Sequence, residues 1–126
     1  MRFLLVLSLL TLLAPFDCGG EGSSSIRPIP VETISIPNTV PLGQTVSFKL
    51  ICQTPTPCWK FHHFDITEKT QEYRVVVHAY HEGRVCAQVL SSFTVTGSVT
   101  PQQRGTFVFK FWRSNAETLD RTVVVQ

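Results

Sequence analysis

Four cysteines and four histidines are the residues of this 126-residue chain best equipped for chemistry beyond packing. Thiolates and imidazoles suit zinc or copper, so Cys52, Cys58, His62, His63, His78 and His81 form the metal-ligand set to weigh. Strand spacing argues against it. His78 and His81 differ by three and so face opposite sides, as do adjacent His62 and His63 unless a bulge turns one of them. A blue-copper site would need a histidine beyond its ligand cysteine, yet none follows Cys86 and the only methionine is Met1. The expectation is no metal and no cofactor, with the histidines on the surface.

The cysteines are better read as a disulfide framework, which export permits. Cys58 opens one expected strand and Cys86 follows the strand over residues 72–81. If those two strands form a hairpin, a disulfide between their outer ends has the reach, and Cys58–Cys86 is the favoured pair. Cys52 then remains a buried thiol, because it shares the inward parity of Phe48 and Leu50. Cys52–Cys58, stapling the loop 53–57, is the competitor, and Cys52–Cys86 is the third pairing.

Catalysis finds little support. Gly-x-Ser-x-Gly, His-Glu-x-x-His, phosphate-loop and dinucleotide fingerprints are absent, and Asp65, Glu68 and Glu72 sit around an expected turn, where solvated charge is ordinary. The reading is non-enzymatic. Trp112 and Tyr80 are the surface-contact candidates, since each falls in the outward parity of its strand and suits protein or carbohydrate contact. A formal net charge of +2 with scattered bases disfavours a nucleic-acid partner.

The elements that must position these residues are strands. Apolar residues make up 43% and charged residues 16%, enough apolar matter for one packed domain. Residues 45–52 alternate, with Val46, Phe48, Leu50 and Cys52 facing inward. Further runs at 31–36, 59–66, 72–81, 92–99, 106–113 and 118–125 bring the count to about seven strands. The first reads as a proline-bounded edge strand. In 59–66 the apolar parity switches at His62-His63, which predicts a bulge. Phe107, Phe109 and Phe111 share one face, opposite Lys110. The fold expected is an all-β, two-sheet antiparallel sandwich.

Val40-Pro41-Leu42-Gly43-Gln44-Thr45-Val46-Ser47-Phe48 resembles the glycine turn into the second strand of bacterial immunoglobulin-like domains. Arg104-Gly105-Thr106-Phe107-Val108-Phe109 is similar to their Gly-Thr-aromatic approach to the penultimate strand. The resemblance spans residues 30–126 and implies an immunoglobulin-like sandwich; it carries no site residues. The antibody-type pattern is not met. Trp59 lies seven residues after Cys52, and Arg84 stands where a tyrosine would precede Cys86.

Ahead of the domain, Arg2 precedes an apolar run over residues 3–13, too short to cross a bilayer and suited to a signal peptide over 1–17. Leu13-Ala14-Pro15-Phe16-Asp17-Cys18-Gly19-Gly20 resembles the end of a bacterial lipoprotein signal. That resemblance implies a lipid on Cys18, a bacterial cell envelope and a membrane as partner. Residues 18–29 then read as a flexible tether. Ordinary cleavage after Gly20, giving a secreted protein, is the alternative, since Phe16 and Asp17 depart from the small residues that motif prefers. The functional expectation is a non-catalytic exported domain acting through protein or carbohydrate contacts. The alternative is a secreted metal or redox protein using Cys52/Cys58 and His62/His63.

Overall fold

Prolines and alternating apolar residues divide the described residues into nine strands. They are β1 (Ile26–Ile29), β2 (Val31–Ser35), β3 (Thr39–Val40), β4 (Val46–Thr54), β5 (Trp59–Lys69), β6 (Glu72–His81), β7 (Ser91–Val99), β8 (Gly105–Ser114) and β9 (Glu117–Val125). The computed structural model describes residues 25–83 and 85–126. The expected signal at 1–17, Cys18 and the tether as far as residue 24 lie outside the described residues.

The strands form two sheets. The smaller runs β2-β4-β7, and in the larger the path β1-β6-β8-β9-β3 is completed by β5 on the other side of β6. On that shared side of β6, residues 77–80 take β1 and residues 72–75 take β8. The result is an all-β sandwich, and all seven expected strands are present.

Two strands and two pairings differ from expectation. The last four residues of the expected tether are β1, with Ile29 fully buried. Pro30 has no N–H for a ladder, and the chain crosses there from the larger sheet to the smaller. Short β3 pairs parallel to β9, and β6 pairs parallel to β8, so the sandwich is not purely antiparallel. Face alternation reports which side of a strand is buried, not the direction of its neighbour.

Between the sheets, Phe48 packs edge-on against Phe111 and Phe64, with ring centroids 5.4 and 5.7 Å away. Val46, Leu50, Val75, Val77, Ala79, Phe109 and Val123 are among the other buried residues of this interior. Gly97, paired with Phe48, leaves room for that ring: a Cβ there would meet Phe48 at 2.6 Å and Phe64 at 2.9 Å. At the turn into β4, Gln44 N–H donates to Pro41 C=O at 3.1 Å. Gly43 supplies the φ of +87° required at the third position of a type II turn.

Candidate functional site

Three of the chemistry-bearing residues, Cys58, His81 and Cys86, gather at one end of the sandwich, the end where β1 begins. There the register sets Trp59 opposite His81 and Thr54 opposite Ser91, so the loops 55–58 and 82–90 lie together. Thr54 Oγ1 donates to Thr56 C=O at 2.9 Å, and Thr56 Oγ1 accepts the Cys58 N–H at 3.4 Å. Glu82 N–H donates to Cys58 C=O at 2.8 Å. These bonds hold Cys58 at the mouth of the hairpin, where it is joined to Cys86 as a disulfide with Cα atoms 6.0 Å apart. The bond joins the residue just before β5 to the loop that follows β6, across the open end of the hairpin.

His81 stands beside the disulfide, its Nε2 3.7 Å from Cys86 Sγ. Its ring meets Trp59 edge-on at 5.3 Å, and the Arg27 guanidinium lies over the Trp59 ring, 4.3 Å from its centroid. Cys58, His81 and Cys86 are each half-buried and form the compact group of metal-ligating atoms among the described residues. Sequence spacing missed this trio because it links two strand ends and a loop.

Cys52 is elsewhere. It is fully buried within β4, and burial, with the Glu32 carboxylate adding, pushes its thiol up to about 12. Cys52 and Cys58 are therefore not brought together, and the ligand set Cys52/Cys58 with His62/His63 is not assembled. Parity explains the separation: Cys52 continues the inward row of Phe48 and Leu50.

The remaining histidines lie on the outer face of the larger sheet. The register of β5 against β6 slips between Phe61 and His63, which is the bulge expected from the parity switch. It turns the two adjacent rings toward each other, with their Nδ1 atoms 2.6 Å apart. His63 stacks on His78 at 4.6 Å with planes 2° apart, and His62 meets Tyr80 edge-on at 5.8 Å. Burial and the neighbouring His63 hold His78 below the usual imidazole range, while Asp65 opposes them. Tyr80 and Trp112 share this outer face, both half-buried rather than fully exposed.

A feature absent from the sequence reading is the apolar character of this end. Val85 is 93% exposed, Leu90 68%, Val89 55% and Ile26 46%, whereas the far end contributes Leu42 at 39%. Loop residues carry no periodicity, so nothing in their spacing marks them as surface. Beside them a shallow groove of about 300 Å³ between the edge strands β5 and β7 is lined by Trp59, Phe61, Phe93 and Val95. Comparison with family models, curated proteins and solved structures finds no match to the chain.

Proposed function

We propose that this protein is an exported, non-catalytic contact domain of a bacterial cell envelope, an immunoglobulin-like sandwich anchored by lipid on Cys18. One observation carries the reading: Val85, Val89, Leu90 and Ile26 are exposed together at the end where the chain enters the sandwich. From Cys18 to Ile26 an extended chain reaches at most about 29 Å, so an anchor at Cys18 keeps this end close to the membrane surface. Exposed aliphatic side chains on a loop stapled by a disulfide offer a preformed apolar contact at little ordering cost. The contact fits a protein held at the same membrane. Tyr80 and Trp112 on the outer sheet face support a second reading, carbohydrate contact through aromatic rings.

Two manipulations of the full chain, produced in a bacterial host, test the proposal. Cys18→Ala is expected to move the protein from the membrane fraction to the soluble one. A photo-crosslinking residue at Leu90 is expected to give a discrete protein adduct that the same residue at Leu42 does not. Unchanged membrane retention of Cys18→Ala, or identical adducts from both positions, contradicts the reading.

A further inference from the structure

We propose that Cys58, Cys86 and His81 form a redox-gated zinc site, closed while the disulfide is intact and created when a dithiol reduces it. The inference does not rest on the contact function above. Two distances support it. The two sulfurs and a His81 nitrogen all lie within 4.8 Å of one another, from residues that are half-buried and so reachable by solvent. Ligands on a tetrahedral zinc stand about 3.6 Å apart for sulfur and nitrogen and about 3.8 Å for two sulfurs. The distance from Cys86 Sγ to His81 Nε2 is 3.7 Å, already at that spacing.

The surroundings hold two of the three ligands in place without the disulfide, and Cys86 follows on its loop. Cys58 is fixed through its own N–H and C=O by Thr56 and Glu82, and His81 is held by its ladder position opposite Trp59 and by that ring's edge. Gly83, next to the site, would place even an added Cβ no closer than 3.4 Å to Cys58 Sγ, leaving the sulfur uncrowded on that side.

The chemistry balances in two steps. An external dithiol gives two electrons and two protons to the Cys58–Cys86 bond, which breaks into two thiols as the dithiol closes into its own disulfide. Zinc then displaces both thiol protons to solvent and takes Sγ of Cys58, Sγ of Cys86 and a nitrogen of neutral His81. Water occupies the fourth position. Because the metal joins the same two cysteines, 28 residues apart in sequence, it staples the loop 82–90 as the disulfide does.

The test is an anaerobic titration of the purified, phosphine-reduced protein with cobalt(II), followed by zinc. The expected result is thiolate-to-cobalt charge-transfer absorption with tetrahedral d–d bands. These should saturate at one equivalent, bleach on adding zinc, and be absent from the unreduced protein. His81→Ala and His81→Gln should each weaken zinc binding by at least the about tenfold that changes around metal ligands cost. Cys52→Ala should leave the titration unchanged. Thermal unfolding gives a second readout, with zinc raising the Tm of reduced but not oxidised protein. If reduction alone unfolds the chain, zinc should restore its β-sheet circular dichroism. Reduced protein with neither cobalt bands nor a zinc-dependent gain in folded structure overturns the proposal. So does binding that both His81 variants retain in full.

Discussion

Cys52 and Cys58 stand six positions apart and meet opposite environments, one sealed between the sheets and the other at a loop mouth. For Cys52 the consequence is a thiol that ionises in the unfolded chain near its ordinary value of 9 but in the folded chain only near 12. A folded pKa raised in this way contributes stability that is complete below pH 9 and is lost as pH climbs toward 12. The slope approaches about 1.4 kcal/mol per pH unit. Urea midpoints measured across that window should fall more steeply for the native sequence than for Cys52→Ala; Tyr73, also pushed up by burial, remains in both and cancels. Native Cys52 should likewise resist iodoacetamide until denaturant is added. A second contrast at this scale separates the two faces of β8. Phe109 is completely buried, so Phe109→Ala should cost about 3–5 kcal/mol, most of the stability of a domain this size. Neighbouring Lys110 makes a half-exposed ion pair with Glu72 at 3.2 Å, and Lys110→Ala should cost under about 1 kcal/mol in the same denaturation experiment.

Among elements, strands whose residues alternate were legible in the sequence, and of their pairings only the β5–β6 hairpin was anticipated. β4 announces its buried row through Val46, Phe48, Leu50 and Cys52, and β8 through its three phenylalanines. The bulge of β5 was legible as well, since one extra residue must reverse which parity is apolar. The parallel register of β6 with β8 left no such trace, because it joins strands separated by the whole of β7. The β5–β6 hairpin did, and it positions the staple. Cys58→Ser and Cys86→Ser should each lower stability by about 2–4 kcal/mol, with the double variant adding little, because either change breaks one bond. A neutral Cys86→Ser would contradict this pairing. Packing between the sheets gives a separate test at Gly97. A methyl group there is driven into the Phe48 and Phe64 rings, and Gly97→Ala should cost about 1–3 kcal/mol by urea denaturation.

At the scale of the whole molecule, the chain segregates its roles by end. The far end closes with the type II turn at Gly43, and Leu42 N–H donates to Gln126 C=O at 2.7 Å. The other end holds the disulfide, the ligand trio and the exposed aliphatic loop, and the N-terminal segment joins it there. Of this clustering the sequence showed only the Cys58–Cys86 pair, for Ile26, Cys58, His81 and Leu90 are spread over more than sixty positions. Only the sheet registers bring them together. Under the proposed function, an anchor at Cys18 would give this polarity its meaning by setting the apolar end against the membrane. The intact mass of the native mature protein tests that most directly. The account predicts a chain beginning at Cys18, carrying the added mass of lipid acyl chains and lacking the two hydrogens lost to the Cys58–Cys86 bond. A chain beginning at Glu21 with no added mass would contradict it.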